Sequence, residues 1–366
     1  MNLSSTVTVL IPTFNRSKLL KRAIASVAQQ SYPEVRIVVC DNASTDETES
    51  VVYELMSHDK RIQYFRHASN IGGLNNFRFA FAQVHTPFFS VLSDDDFLTR
   101  DFILDGVKVL NEFTNVGFVI QNTLFIDDSG ALISTGGHSL SNELRLFCSD
   151  SRFDAFQNYE VPYIWTGMVF RGELSHLYEK DMQNDISHDF RFLFRAISKN
   201  NYAHLSKVGS FFTSHEGSMS SARPYFDMLQ HRLDCTRYLE ILEDPMVDES
   251  LKERVRYYLR KLANINPYRQ ALKEALRHLL KNCCNSPELP PHSVLKFAGD
   301  FDKNGFHKTA SFFSSIYSSR SLRFLIKFSY QGYNNFRLRK NYFKMQTLQN
   351  TVYKSYFDDV KDLPEK

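Results

Sequence analysis

The first hundred residues alternate between short apolar runs and segments with helical spacing, and this alternation is the strongest constraint on the fold. Strand-like runs lie at residues 6–11, 35–40, 61–65 and 87–93. Apolar residues recur at three- and four-residue steps between them, at 18–28, before residue 55 and at 77–84. A helix between consecutive strands returns the chain to the same end of the sheet, so that neighbouring strands run parallel. The pattern predicts an α/β fold with a doubly wound, mainly parallel sheet.

Polar segments follow three of these strands, at residues 12–16, 41–46 and 94–96. The carboxyl ends of parallel strands meet at one edge of an open α/β sheet, and ligands bind in the crevice there. We therefore expect a nucleotide site at this edge.

The last of these segments is Asp94-Asp95-Asp96. Adjacent negative charges are unfavourable unless they share a cation, and oxygen ligands of this kind suit Mg²⁺ or Mn²⁺. The alternative is a solvated acidic turn that caps a helix beginning near Thr99.

Four segments together resemble the family-2 glycosyltransferases of the GT-A (Rossmann-like) fold. These segments are the opening through Arg16, residues 41–46, Asn70-Ile71-Gly72-Gly73 and residues 94–96, and they match in order and in spacing. The resemblance covers roughly the first 220 residues. It implies transfer of a sugar from a nucleotide diphosphate, with a divalent metal ion neutralising the charge of the leaving group.

The resemblance also implies roles for residues at the sheet edge. The first loop contacts the nucleotide through Pro12, Thr13, Phe14 and Arg16. Asp41, with Asn42 beside it, accepts a hydrogen bond from a uracil or thymine N–H, because a carboxylate is a pure acceptor. In the acidic segment, Asp94 reaches the ribose or a metal-bound water, Asp96 is the direct metal ligand, and Asp95 ranks below both.

Asp189 is the candidate base that deprotonates the acceptor hydroxyl. The family pattern has two acidic residues here, whereas this chain has His188-Asp189. An inverting displacement needs a carboxylate on the face opposite the leaving group. Two alternatives stay open: Asp189 as a helix N-cap, and Asp185 as the base.

Four further residues carry expectations of their own. Related enzymes place a histidine where His215 lies, in contact with metal or diphosphate, although a lone histidine is most often structural. Trp165, the only tryptophan, either lines a sugar pocket or packs in the core. Asn76 and Arg78 lie where related enzymes place polar donor-site residues, but the usual Arg-Asn pair is absent.

The sequence predicts a GT-A catalytic domain at 1–222 and a helical C-terminal region at 223–366. Residues 303–357 contain ten Lys or Arg and no Asp or Glu, interleaved with Phe and Tyr. Such a basic, aromatic tail either docks on an anionic membrane surface, near a lipid-linked acceptor, or packs on the catalytic domain.

Composition indicates the class of binding partner and the cellular compartment that we expect for this protein. A net charge of +3 is too small to argue for nucleic acid. Five cysteines without metal-type spacing indicate reduced thiols in a cytoplasmic compartment. No apolar stretch approaches the length of a membrane-spanning helix. We expect a cytoplasmic protein that attaches at most peripherally to the inner face of the cell membrane.

These features predict an inverting, metal-dependent glycosyltransferase. It would move a sugar from a UDP- or dTDP-sugar to a hydroxyl of a glycan, in bacterial O-antigen or capsular polysaccharide synthesis. The alternatives are a non-catalytic module that binds nucleotide sugar or glycan, and a membrane-docked assembly protein.

Overall fold

The computed structural model describes residues 6–135, 140–148, 151–157, 164–178, 188–215, 242 and 244–263. Its first part repeats a strand and a helix three times before a fourth strand. The elements are β1 (Val7–Thr13), α1 (Ser17–Ala28), β2 (Val35–Asp41), α2 (Thr48–His58), β3 (Ile62–Arg66), α3 (Gly73–Phe81) and β4 (Phe88–Val91). β1 pairs in parallel with both β2 and β4, and β2 pairs in parallel with β3. The predicted α/β fold with a parallel sheet is confirmed.

The element bounds differ from the sequence pattern at the site edge. β1 and β2 run on through Thr13 and Asp41, which are register partners across the two strands. α3 begins at Gly73 rather than near Phe77, directly after Gly72, whose φ of 82° favours glycine. The acidic segment does not lead straight into a helix, because a short strand, Phe97–Leu98, comes before the next helix.

The second part of the sheet is mixed. The elements that follow are β5 (Phe97–Leu98), α4 (Phe102–Glu112), β6 (Val116–Asp127), β7 (Leu132–Ser134), β8 (Leu144–Phe147), α5 (Ser151–Gln157), β9 (Met168–Arg171), α6 (His188–Lys199), β10 (Asn201–Ser214) and α7 (Glu249–Ala263). The strand order is β3-β2-β1-β4-β9-β6-β10-β5, with β7 beside β6 and β8 beside β10. β10 runs parallel to β6 and antiparallel to β5. This pairing brings the end of β10 to the acidic segment.

The central strands are buried on both faces, as expected for a sheet covered by helices. Their side chains pack against α1 and α4 in one core, around residues such as Val9, Ile24, Val39 and Ile103. Burial of this core fixes the register, and the register fixes which residues reach the sheet edge.

The chain divides into two compact units. The first contains 1–218 together with 244–251, and the second contains 219–243 and 252–366. The return of the short segment Asp244–Leu251 to the first unit was not anticipated by the predicted boundary at residue 222. Within the described residues, no helix is both long and apolar enough to cross a membrane.

Candidate active site

The loop after β1 is joined to the acidic segment by hydrogen bonds and ion pairs. Thr13 donates its hydroxyl to Asp94 Oδ2 at 2.7 Å. Arg16 Nη1 lies 2.8 Å from both Asp94 Oδ1 and Asp95 Oδ2. The structure thus brings together the first and third polar segments, and the cation between the two carboxylates is a guanidinium. Phe14 of the same loop is 40% exposed, and Pro12 is buried within β1.

Asp94 and Asp95 are largely buried, with 5% and 8% of each residue exposed. Burial raises the pKa of the Asp94 carboxyl to about 6, although the Arg16 guanidinium opposes this rise. The charged form of Asp94 is therefore disfavoured by burial and favoured by the neighbouring Arg16.

His215 also contacts this cluster, although it is distant from the acidic segment in the sequence. It follows β10 directly, and its Nε2 atom lies 3.0 Å from Asp95 Oδ2. Asp95 is therefore the carboxylate that contacts both Arg16 and His215. His215, which we expected to contact metal or diphosphate, thus lies beside a carboxylate of the acidic segment.

Asp96 has different surroundings from those we expected for a direct metal ligand. It is fully buried, its Oδ1 accepts a hydrogen bond from the Thr213 backbone N–H at 2.9 Å, and its Oδ2 accepts one from the Thr166 hydroxyl at 2.8 Å. Burial and the neighbouring Asp95 carboxylate raise the pKa of Asp96 well above its ordinary value. The turn that places it, closed by a hydrogen bond from Asp96 N–H to the Ser93 carbonyl, directs its side chain into the protein. The ranking of Asp95 below Asp96 as a ligand therefore disagrees with the contacts of the two side chains.

The second polar segment forms a buried network around Asp41, which has no exposed surface. Asp41 Oδ1 accepts hydrogen bonds from the backbone N–H and the hydroxyl of Ser44, and Oδ2 accepts one from the Tyr64 hydroxyl at 2.6 Å. Arg66 Nε lies 3.5 Å from the same Oδ2. Burial and the bond to Asp41 raise the pKa of the Tyr64 phenol, so that its hydroxyl remains a donor. Tyr64 is a member of this site that sequence reasoning missed.

Neighbouring asparagines fix the loops around Asp41. Asn42 accepts a hydrogen bond from Ile71 N–H and donates one to Asn70, which ties the second segment to the Asn70–Gly73 stretch. Asn76 is buried and donates to the Cys40 carbonyl, so that it anchors α3 to β2. Asn76 is thus engaged in the framework of the site.

Asp189 lies in the first turn of α6, inside the helix rather than at its N-cap. The adjacent His188 bonds through Nδ1 to the Tyr178 hydroxyl at 2.9 Å, and its ring lies 4.9 Å from Phe77 and 5.2 Å from Trp165. Trp165 is 8% exposed and stacks on Phe77, which fits core packing. Asp185 lies outside the described residues.

A cavity of about 620 Å³ lies apart from these carboxylates. Its lining comes from α3 and its C-terminal flank and from the segment around residues 175–178, and consists of Arg78, Phe79, Phe81, Ala82, Val84, Ser175, His176 and Tyr178. Arg78 thus lines this cavity, at some remove from the carboxylates expected to bind the donor.

The side chains at the edge were tested for their fit to a divalent ion. In the part of the chain that the structure describes, no three His, Cys, Asp or Glu side chains form a preassembled metal cluster. However, Asp95 and His215 offer a carboxylate and an imidazole 3.0 Å apart, with Asp94 bonded to the same guanidinium. This donor set suits Mn²⁺ or Mg²⁺ assisted by ligands from a bound diphosphate.

Comparisons with known proteins concern the family and the fold. Residues 8–173 match the model of glycosyl transferase family 2. A GalNAc(5)-diNAcBac-PP-undecaprenol beta-1,3-glucosyltransferase of Campylobacter jejuni is 40% identical over 128 residues, which cover 34% of this chain and 40% of that protein. Chondroitin synthase of Escherichia coli is 27% identical over 131 residues, covering 36% and 19%. The chain thus spans well under half the length of these curated relatives.

Solved structures show the same fold at low identity. Staphylococcus aureus TarS 1-349 in complex with UDP-GlcNAc has a TM-score of 0.50 at 20% identity, covering 68% of this chain and 70% of that one. Mannosyltransferase PcManGT from Pyrobaculum calidifontis, in complex with GDP-Man and Mn²⁺, has a TM-score of 0.50 at 17% identity, covering 86% and 87%. Residues 8–173 are therefore similar to glycosyl transferase family 2, and the chain has the GT-A fold.

Proposed function

We propose that the protein is an inverting, metal-dependent glycosyltransferase. It transfers a sugar from a UDP- or dTDP-sugar to a hydroxyl of a glycan or lipid-linked glycan, as part of bacterial O-antigen or capsular polysaccharide synthesis. The relative from Campylobacter jejuni, which is named as acting on an undecaprenol-linked glycan, supports the acceptor class. The TarS complex with UDP-GlcNAc supports the donor class.

The observation that carries the proposal is the meeting of Asp94, Asp95, Arg16 and His215 at the carboxyl edge of the parallel strands. These residues come from three separate segments, and the sheet pairing brings them into direct contact. Such a site suits a diphosphate together with a divalent ion, because Arg16 can bind the anion while the carboxylates bind the cation. A structural acidic turn would not require His215 or Arg16.

We assign the metal-binding role to Asp95 and His215, with Asp94 beside them, and leave Asp96 out of the ligand set. A bound Mn²⁺ or Mg²⁺ would neutralise the charge that develops on the diphosphate leaving group. Arg16 lies where it can exchange its carboxylate contacts for phosphate oxygens, since a guanidinium binds either anion through the same donors. Phe14 offers an exposed ring for the base, and the network of Asp41 and Tyr64 lies at the end of the neighbouring strand.

Asp189 is proposed as the base. Its carboxylate takes the proton from the acceptor hydroxyl as that oxygen attacks the anomeric carbon of the donor. The bond between the anomeric carbon and the diphosphate oxygen breaks, its electron pair leaves with the nucleoside diphosphate, and the anomeric configuration inverts. Atoms and charge balance without any further reagent.

The test combines binding with transfer. A thermal-shift screen of nucleotide sugars with and without Mn²⁺ should show a rise in melting temperature that is specific to uridine or thymidine donors, through mass-action stabilisation. Asp189→Asn should keep this rise and lose transfer by about 10²- to 10⁴-fold, the usual contribution of a general base. Donor binding without any transfer or donor hydrolysis by the wild-type chain would indicate a binding module instead. Near-normal transfer by Asp189→Asn would move the base role to Asp185.

The basic tail at 303–357 is proposed to dock on an anionic membrane surface. It lies outside the described residues, so its composition alone supports this role. Full-length protein should float with vesicles containing anionic lipid, and Arg323→Glu with Lys327→Glu should reduce that recovery. Equal flotation of both proteins would refute membrane docking by this segment.

A further inference from the structure

Asp96 is a buried carboxyl residue that the proposed reaction does not use. Its two oxygens bind two different segments: the Thr166 hydroxyl and the backbone N–H of Thr213. Thr166 belongs to a short 3-10 turn, Trp165–Gly167, which we call the tryptophan turn. Thr213 lies near the end of β10, two positions before His215. Asp96 therefore connects the acidic segment to both of these elements at once.

The tryptophan turn is in contact with the start of α6. Trp165 lies 5.2 Å from the ring of His188, which precedes Asp189, and both rings pack on Phe77. A displacement of the turn would therefore be passed to the helix that carries the candidate base. This connection runs entirely through buried or half-buried side chains.

Packing on the other side prevents the turn from relaxing in that direction. A Cβ atom on Gly167 would lie 2.7 Å from Thr123 Oγ1 and 2.8 Å from the Gln121 carbonyl oxygen. The turn thus rests against β6, and the Asp96 carboxylate holds it from the side of the acidic segment. Strand β6 therefore limits the movement of the turn on one side, and the hydrogen bond to Asp96 limits it on the other.

The second connection of Asp96 acts on the histidine side of the site. Arg22 of α1 donates to the Asp95 carbonyl at 2.6 Å and to the Thr213 hydroxyl at 2.7 Å. Together with the bond from Thr213 N–H to Asp96, this holds the end of β10 against the acidic segment. The 3.0 Å separation of Asp95 and His215 depends on that contact.

We propose that Asp96 is a positioning residue, not a metal ligand: it holds the tryptophan turn and the end of β10 against the acidic segment, so that α6 keeps its place relative to Asp94 and Asp95. The inference rests on the proposed function, which supplies the roles of Asp95, His215 and Asp189. It differs from a ligand role in a way that can be measured. A ligand needs the negative charge of Asp96, whereas a positioning residue needs only its hydrogen bonds.

Asp96→Asn separates these two requirements. An asparagine there can accept the bond from Thr213 N–H and donate one to the Thr166 hydroxyl, since a threonine hydroxyl is both donor and acceptor. Asp96→Ala removes both bonds, and Thr166→Val removes only the bond to the turn. Thr8→Val is the matched control, because Thr8 is equally buried and bonds to the Thr86 hydroxyl at the opposite end of β1.

Trp165 makes the position of the turn observable without activity, because it is the only tryptophan of the chain. Thr166→Val and Asp96→Ala should shift its emission to longer wavelength and increase its quenching by acrylamide. Asp96→Asn and Thr8→Val should leave the emission near that of the wild type. Circular dichroism of the four variants shows whether each is folded before these spectra are compared.

Metal binding and kinetics complete the test. Thr166→Val should lower kcat by about tenfold to a hundredfold, the loss expected from a displacement of about 1 Å, with unchanged donor KM and unchanged Mn²⁺ affinity by electron paramagnetic resonance. Asp96→Asn should retain the Mn²⁺ affinity that Asp95→Asn loses. An Asp96→Asn variant that loses Mn²⁺ as completely as Asp95→Asn, or a Thr166→Val variant that matches Thr8→Val in kcat and emission, would overturn the proposal. Wild-type protein with no transfer and no Mn²⁺ binding would instead overturn the proposed function, while the tryptophan spectra would still report whether Asp96 holds the turn.

Discussion

Arg16 is the residue on which the charge balance of the site depends. Its guanidinium contacts Asp94 and Asp95 at equal distances, in a position where a divalent ion would also be attracted. The two cations therefore compete for the same pair of carboxylates. A site of this kind remains stable before metal and donor arrive, because the buried carboxylates are already paired.

This competition gives a prediction for Arg16→Gln. Without metal, the variant should unfold more easily, by about 1–3 kcal/mol, because charged hydrogen bonds to buried carboxylates are lost. Saturating Mn²⁺ should raise its melting temperature more than that of the wild type, since no guanidinium has to be displaced. Thermal unfolding with and without Mn²⁺ measures both effects. Arg61→Gln, which breaks an ion pair with Asp59 away from the edge, should leave the response to Mn²⁺ unchanged, and an equal response in all three proteins would contradict the prediction.

Gly167 is the second residue for which the structure predicts a clear effect of substitution on stability. An added methyl group would lie within 2.8 Å of two atoms of β6, so Gly167→Ala should destabilise the protein by about 1–3 kcal/mol through overpacking. Gly73→Ala is the control, because nothing lies within 4 Å of a Cβ there and the position is helical. It should be neutral, or stabilising by about 0.5–1 kcal/mol. Denaturant unfolding of both variants tests the contrast, and equal losses would show that the tryptophan turn can shift.

At the scale of elements, the sequence predicted some features and not others for physical reasons. The parallel strands β1, β2, β3 and β4 were recognisable because each is a short apolar run between helices. The mixed half of the sheet was not, because its pairing joins strands that are distant along the chain, as with β10 and β5.

The same reason explains the errors at the site. Asp94, Asp95 and Asp96 are the same residue type, so the sequence alone does not distinguish their roles. The turn and the pairing of β10 direct Asp96 into the protein and Asp95 toward His215. Thr166, Arg22 and Tyr64 gave no signal, because ordinary polar residues become significant only through contacts across the fold. The polar segments that contain Arg16 and Asp41 were recognisable because they lie at the ends of apolar strands, although β2 itself extends through Asp41.

The attachment of Asp244 to α6 is the element-scale contact with the clearest energetic consequence. Arg191 and Arg195 of that helix both donate to Asp244 Oδ2, at 2.9 and 2.7 Å, and Asp244 and Arg195 have no exposed surface. Burial alone would raise the pKa of the Asp244 carboxyl, but the bonds from the two arginines outweigh it and lower the pKa. The ion pairs thus anchor the segment 244–251 to the helix that carries Asp189.

Asp244→Asn should lower the free energy of unfolding by about 3–5 kcal/mol at neutral pH, because the substitution breaks the buried ion pair between Asp244 and Arg195. The folded-state pKa of Asp244 is depressed, so its contribution is present above the unfolded-state pKa of about 3.9 and is lost as pH falls through the lower folded-state value. The difference between wild type and variant should therefore shrink below about pH 4. Urea unfolding at pH 7 and in that acid range measures it. Asp128→Asn, at an exposed position, should change little at either pH, and a pH-independent loss for Asp244→Asn would contradict the assignment.

At the scale of the whole molecule, the first compact unit is not continuous in sequence. The first unit takes in 244–251 after an intervening stretch that belongs to the second unit. A chain that ends at residue 222 lacks Asp244 and should melt at a lower temperature than one that ends at residue 263. Calorimetry of the two shortened chains beside the full chain tests this, and equal melting temperatures for the two would show that the segment is dispensable.

The position of β10 has a consequence for how the protein is made. Residues near position 95 leave the ribosome long before those near position 215, and domains generally fold in the order of synthesis. β5, which directly follows the acidic segment, pairs with β10 along the sheet. Nascent chains that stop short of β10 lack both His215 and the pairing partner of β5, so the acidic segment gains these contacts only late in synthesis.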